Sequence, residues 1–325
     1  MGTPIEDNGL LRVEGAQLVN SAGLPVRLRG ASSHGINFNP QKSYVNPENM
    51  RLMRAWGANV FRVARYVIWG NDLRELIPNH TALQTVEPAI RAIIDAGMYA
   101  IVDWHVLKDL DPLLYKHEAL QFFLDVHRRF EDVAHALIFE IANEPNPGVD
   151  GKARVTWEDN IKPYADWIIS ELRRARIHNV VLVPTSHWSQ HPLEPRNLPL
   201  DDDENVMFTT HFYASDEHHR QDIRPELEDA IQAGVPLFIS EWGSTGRHGN
   251  EAIDECMVDD WIDLLDRHGL SWVYWWFGAH DADHDESSSV LHAGSPFSGP
   301  YEDAQVKQSG RILRRLLWST SDAPA

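Results

Sequence analysis

Leu137-Ile-Phe-Glu-Ile-Ala-Asn-Glu-Pro145 is an apolar run, rich in strand formers, that ends abruptly at Asn-Glu-Pro. It reads as a buried strand, expected over 136–143. Alternation along a strand puts Glu140, Ala142 and Glu144 on one side and Phe139, Ile141 and Asn143 on the other. Pro145 has no N–H for a ladder, so pairing is expected to stop there and leave Glu144 at the strand's C-terminal mouth. A carboxylate at the open end of a buried strand is costly, and such positions carry chemistry more often than structure.

The same unit recurs on both sides of this stretch. Strands are expected at 26–31, 58–64, 98–105, 136–143, 180–184, 205–212, 236–241 and 271–277. Helices are expected at 46–57, 85–96, 112–130, 157–175, 222–233, 251–268 and 303–318, with an irregular Pro-rich stretch and short helix at 190–200. Gly57, Gly97, Gly234 and Gly269 supply stop signals. A short hairpin within 10–29, with Gly15 and Ser21-Ala-Gly23 as turns, precedes the first strand. Eight strands, each followed by a helical segment, make a parallel α/β architecture. Closure into a (β/α)8 TIM barrel, which takes about 250 residues, is the economical solution for a chain of 325. No Gly/Ser-rich linker divides the sequence, so 1–325 is expected to form a single domain.

Composition bounds the partners. A formal charge of −19 argues against nucleic acid, whose phosphates need a basic face. No run of about 18 apolar residues occurs, so no membrane partner is expected. The N-terminus does not read as a signal peptide, so either a cytosolic protein or one whose leader lies outside this sequence is expected. The single cysteine, Cys256, allows no intrachain disulfide and is expected to be a structural thiol in a helix.

In a barrel of this kind the strand C-termini build the active site. Those ends deliver His34, Arg62 with Tyr66, His105, Asn143 with Glu144, Trp188, His211 with Tyr213, Glu241 and Trp275. That concentration of polar and aromatic groups points to an enzyme. Glu144 and Glu241 form the carboxylate pair that glycoside hydrolysis needs, one to protonate the leaving oxygen and one to attack or to activate water. Arg62 and Tyr213 beside Glu241 would keep it ionised, while Glu144, near that charge and partly desolvated, would stay protonated. His34, His105 and His211 raise the possibility of a metal, but neither a His-x-His nor a helical His-x-x-x-His spacing supports one. Neutral histidines that orient a catalytic group or a sugar hydroxyl are the better reading, with no cofactor. Phe38, Trp69, Trp188, Trp242, Trp275 and Trp276 fall in or after strand-end loops, where indole faces suit the C–H faces of sugars. Plain packing is the competing reading for each.

Val60-Phe-Arg-Val63, Asp103-Trp-His105, Glu140-Ile-Ala-Asn-Glu-Pro145, His211-Phe-Tyr213, Ser240-Glu-Trp-Gly243 and Glu286-Ser-Ser-Ser289 together resemble glycoside hydrolase family 5, in particular its bacterial cellulase-type endoglucanases. The likeness runs from Leu28-Arg-Gly30 to Glu286. It implies a retaining endo-β-1,4-glucanase with Glu144 as acid/base and Glu241 as nucleophile. Arg62, His105, Asn143, His211, Tyr213 and Trp275 match the surrounding shell, with Asn143 on the substrate's 2-hydroxyl and Tyr213 steadying the nucleophile. His34, Tyr66 and Trp188 match substrate-contacting positions. The resemblance further implies no metal, a β-glucan partner, a monomer and a secreted location, with any leader or carbohydrate-binding module outside this sequence.

Two departures bear on specificity. Phe38 stands where relatives commonly carry a stacking Trp, and the segment after Trp275 is longer and acidic, without the sugar-binding Lys. Trp276 or Trp69 is a candidate substitute platform. Asp281, Asp283 and Asp285 leave room for a cationic chain such as chitosan, and mannan or xyloglucan stays possible. A carbohydrate-binding protein without catalysis is the reading from another class, and the intact glutamate pair argues against it.

Overall fold

The structure, a computed structural model, describes residues 2–38, 43–70, 75–148, 150–280 and 286–318. The chain starts with helix α1 (Pro4–Asn8), set by a Thr3/Glu6 capping box with proline at its first turn. Strands β1 (Arg12–Glu14) and β2 (Gln17–Val19) then pair as the expected antiparallel hairpin.

Eight parallel strands close into the barrel: β3 (Arg29–Ser32), β4 (Val60–Tyr66), β5 (Tyr99–His105), β6 (Leu137–Glu140), β7 (Val181–Val183), β8 (Val206–Tyr213), β9 (Leu237–Gly243) and β10 (Trp272–Tyr274), with β10 returning to β3. Between them lie α2 (Pro47–Ala55), α3 (Asn79–Asp95), α4 (Lys116–Arg129), α5 (Lys162–Arg174), the single turns α6 (Ser186–Ser189) and α7 (Glu194–Asn197), α8 (Arg224–Gln232) and α9 (Glu255–Arg267), and α10 (Gln308–Trp318) closes the ring. No helix among the described residues is long and apolar enough to cross a membrane.

Several boundaries differ from those expected. Helix α3 starts at Asn79 rather than 85, because it has no side-chain cap to announce it. Strand β6 ends at Glu140 rather than 143. Without a ladder beyond it, the strict alternation expected for 140–144 is not enforced, and Asn143 turns inward with Glu140 and Glu144. Cys256 lies in helix α9 as expected but is exposed, so it is not a packed structural thiol.

Two apolar layers hold the barrel. Phe61, Val63, Ala100, Val102, Trp104, Phe139 and Phe212 point outward into the strand–helix layer. Val60, Tyr99, Ile101, Ile138, Leu182, Met207, Phe238 and Val273 point inward and fill the N-terminal half of the bore, plugged by Leu11, Leu18 and Leu28. Gly30 is required where β3 crosses β4, since a Cβ there would lie 1.8 Å from the Val60 carbonyl oxygen. The apolar fill stops at mid-barrel, where Arg62, Asp103, Glu140 and Ser240 form a polar layer.

Strand β9 breaks the alternation at one place. Phe238 pairs with Thr209 and Glu241 with His211, so three steps on β9 match two on β8; the same slip recurs against β10. This bulge turns two consecutive side chains, Ser240 and Glu241, into the bore.

Candidate active site

Arg62, fully buried on β4, organises the polar layer. Its Nε donates to Glu140 Oε2 at 2.6 Å and its Nη2 to Glu140 Oε1 at 3.1 Å, a bidentate pair. Nη2 also donates to Asn143 Oδ1 at 2.6 Å and lies 3.0 Å from Asp103 Oδ2, while Nη1 donates to Glu241 Oε2 at 3.0 Å. Glu241 accepts a second bond on Oε1, from the Tyr213 hydroxyl at 2.9 Å. One guanidinium therefore fixes side chains carried by β5, β6 with the turn that follows it, and β9.

Glu144 is held differently. Its Oε1 lies 2.9 Å from His211 Nδ1, and His211 Nε2 lies 2.8 Å from Ser240 Oγ. Ser240 in turn donates to Glu140 Oε1 at 2.7 Å. His105 Nδ1 meets Asp103 Oδ2 at 2.6 Å, and its ring stacks on Trp275 at 5.5 Å with planes 6° apart.

Burial dominates the protonation of these groups. Glu144 is pushed up to about 8 by desolvation, with Asp103 and Glu140 adding to the rise and Arg62 opposing it. Glu241 also moves up, through burial and the charge of Glu144, against the pull of His211, Arg62 and His105. The two carboxyls thus shift in the same direction, whereas opposite directions were expected from sequence. What separates them is their partners: Glu241 has a guanidinium, Glu144 an imidazole. Burial lowers His211 to about 4 and His105 well below its ordinary value, so both rings are neutral at pH 7. Asp103 rises to about 7 by burial, and the Tyr213 phenol rises well above 10, so it stays a donor.

The three histidines considered as metal ligands do not converge: His34 faces aromatic rings, His105 an aspartate, and His211 Glu144 and Ser240. Among the described residues, Glu144, His211 and Glu241 are the group whose donor atoms come close enough for a metal, within 4.8 Å of one another. The Arg62 cation on Glu241 and the engaged lone pair of His211 do not suit a second positive charge there.

The aromatic positions divide. His34 packs edge-on to Tyr66 and Trp275 and tilts over Trp276. Trp275, 9 % exposed, caps the site beside Tyr66 and Tyr213. Trp276 is only 3 % exposed beneath His34 and His280, so it offers no free face, contrary to its expected role as a platform. Trp242 is fully buried outside the barrel against Phe212 and Trp272, which settles it as packing. Phe38 and Trp69, 38 % and 36 % exposed, lie with ring centres 5.5 Å apart, and Phe38 reaches Tyr66 at 4.7 Å. The Asn37 side chain ties their two loops, donating to the Tyr66 carbonyl and accepting from the Tyr66 N–H, each at 3.0 Å. Across the mouth, Trp188 belongs to three consecutive left-handed residues, His187, Trp188 and Ser189. That strain, about 1–3 kcal/mol per residue, is held by Trp188 N–H on the Pro145 carbonyl and Ser189 Oγ on the Asn143 carbonyl. Asp281, Asp283 and Asp285 lie outside the described residues.

Asp103, Glu140 and Ser240 fall within the sequence motifs, but spacing alone assigns them no role. The available signal was a charge amid apolar strand residues, as in Ile138-Phe-Glu-Ile141.

Comparison with known proteins agrees with this geometry. A family model described as cellulase (glycosyl hydrolase family 5) matches residues 19–281. Endoglucanase A of Evansella cellulosilytica is 37% identical over 305 residues, covering 93% of this chain and 58% of that protein. Endoglucanase N of Pectobacterium atrosepticum is 36% identical over 318 residues, covering 97% and 67%. The chain thus spans about three fifths to two thirds of the length of these curated relatives. Among solved structures, the catalytic domain of Thermobifida fusca endoglucanase Cel5A in complex with cellotetraose superposes with a TM-score of 0.85 at 29% identity, covering 97% of this chain and 99% of that one. A β-mannanase of Thermomonospora fusca in complex with mannohexaose shares the fold, with a TM-score of 0.68 at 20% identity over 97% of each chain.

Proposed function

The chain belongs to the cellulase family of glycosyl hydrolases, family 5, and from that premise we propose that it cleaves β-1,4-glucan chains internally by a retaining double displacement. The observation that carries the mechanism is spacing: carboxyl oxygens of Glu144 and Glu241 lie within 4.8 Å of each other. Retaining glycosidases hold their carboxyls about 5–5.5 Å apart, whereas inverting ones leave about 6.5–9.5 Å for a water.

In the first step a Glu241 oxygen attacks the anomeric carbon while Glu144 passes its proton to the departing glycosidic oxygen. The bond to the leaving chain breaks and a glycosyl ester forms on Glu241. In the second step Glu144, now ionised, takes a proton from water as that water attacks the same carbon and releases Glu241. Arg62 and Tyr213 fix the nucleophile's two oxygens. Asn143 is oriented by Arg62 and the Val106 carbonyl, which leaves one amide N–H for the sugar's 2-hydroxyl. Trp275, with His105 behind it, floors the reacting sugar.

The leaving chain runs on the Glu144 side, past Trp188, which follows β7. The retained chain then runs the other way, over Tyr66, Phe38 and Trp69, whose loops follow β3 and β4 across the ring. Trp69 thus stands in as the distal platform. All these groups come from one barrel, which supports reading 1–325 as a single catalytic domain acting as a monomer. A polymeric substrate favours an extracellular setting.

The test is reducing-sugar release from carboxymethylcellulose, barley β-glucan, glucomannan, xyloglucan and chitosan, with Glu241→Ala alongside. Release from the β-1,4-glucans that vanishes in the variant supports the proposal. Release confined to mannan or chitosan, or persisting in the variant, contradicts it.

A further inference from the structure

The hydrogen-bond directions around His211 decide which nitrogen carries its proton. Both oxygens of Glu140 accept from the bidentate Arg62 guanidinium, so this carboxylate is an acceptor only. The Ser240 hydroxyl must therefore spend its hydrogen on Glu140 Oε1 at 2.7 Å. What Ser240 Oγ has left at 2.8 Å from His211 Nε2 is a lone pair, so Nε2 is the protonated nitrogen of a neutral ring. Nδ1 then presents its own lone pair to Glu144 Oε1 at 2.9 Å. Two lone pairs do not bond; the contact is satisfied only when Glu144 carries a proton on that oxygen.

We propose that Ser240 is a positioning residue that locks His211 in the Nε2–H tautomer and thereby holds Glu144 in its acid form. The lock serves both steps of the mechanism above, on which its catalytic meaning rests. Before the first step it keeps the proton on Glu144. After that proton has gone to the leaving oxygen, an Nδ1 lone pair faces the new carboxylate, which makes Glu144 a stronger base toward the incoming water. The other tautomer would donate from Nδ1–H to the Glu144 carboxylate and weaken both roles, but it would need Ser240 to abandon Glu140. Glu140 cannot replace the serine directly, because its Oε1 lies 3.9 Å from Nε2.

Among the described residues, the remaining charged and titratable groups around the pair are Arg62 and Tyr66 on β4, Asp103 and His105 on β5, Tyr213 on β8 and Glu241 on β9. Each keeps its own partner when the serine hydroxyl is removed, so a change on that removal reports on the relay. The β9 bulge is what makes the relay possible, since regular alternation would aim Ser240 out of the bore whenever Glu241 points in.

Two measurements test this. In the 15N spectrum of the wild-type protein near pH 7, His211 should show a protonated Nε2 and a bare Nδ1. Proton on Nδ1 would overturn the proposal, whether or not the protein hydrolyses any glucan. In Ser240→Ala the alkaline limb of the kcat/KM profile on β-glucan should move down by about one pH unit, the scale of one hydrogen bond to a charged group. Ser240→Thr, which keeps the hydroxyl, should restore it. A Ser240→Ala enzyme that loses rate with an unmoved limb, or a limb that Thr fails to restore, would contradict the lock.

Discussion

Glu241 and Glu144 share burial but differ in what holds them, and their substitutions should differ accordingly. On the proposed double displacement Glu241→Ala removes the atom that forms the covalent ester, so kcat on β-glucan should fall by about 10⁴-fold or more, with circular dichroism unchanged. The pH dependence follows from Glu144. Its carboxyl titrates at about 8, so kcat/KM should fall as pH rises through that value and the acid is lost. The same shift weakens the fold. Between the unfolded value of 4.5 and about 8 the native state holds a proton that the unfolded chain releases, so this group costs stability as pH climbs through that window. Glu144→Gln should therefore raise Tm relative to wild type at pH 8 and change it little at pH 4; an equal effect at both would contradict the raised value. At this scale the close, buried pair of Glu144 and Glu241 was legible because two glutamates ended two strand patterns. Asp103, Glu140 and Ser240 were less legible: their role lies in which partner each faces across the bore, and spacing along one strand does not carry that.

Among the elements, β9 and β3 carry the sharpest requirements. The bulge in β9 turns both Ser240 and Glu241 inward, and no run of residues in Leu237-Phe-Ile-Ser-Glu-Trp-Gly243 announces it. A regular period-2 reading would have sent one of them outward, which is why the sequence supplied Glu241 and left Ser240 without a task. In β3, Gly30→Ala would drive a methyl to 1.8 Å from the Val60 carbonyl oxygen, against backbone that cannot yield alone. We expect a loss of about 3 kcal/mol or more in urea unfolding, or failure to fold, because overpacking here must separate two paired strands. An alanine variant as stable as wild type would refute that packing. The order of strands and helices was legible from periodicity and glycine stops, whereas the start of α3 was not, for want of a side-chain cap.

At the scale of the whole molecule, 48 acidic against 29 basic side chains leave a net charge of −19. Like charges repel over roughly a Debye length, about 10 Å at 0.1 M salt and 3 Å at 1 M, so screening should relieve the surface. Tm is expected to rise between low salt and about 1 M NaCl, and a fall would show that attractive surface pairs outweigh the repulsion. The closed ring itself has a consequence for chemistry. An apolar lower bore plugged by Leu11, Leu18 and Leu28 closes the barrel below the polar layer, so on the proposed mechanism substrate and water would reach Glu144 and Glu241 from the other end, beside Tyr66, Tyr213 and Trp275. The placing of Phe38 and Trp69 side by side was less legible, because it depends on how two loops meet rather than on any motif.

The most direct test of the two-glutamate mechanism is the configuration of the first-formed product. Proton NMR of cello-oligosaccharide hydrolysis, recorded before mutarotation, should show the β anomer appearing first, as double displacement through Glu241 requires. Initial release of the α anomer would mean a single displacement by water, and would contradict Glu241 as nucleophile and Glu144 as its acid/base partner.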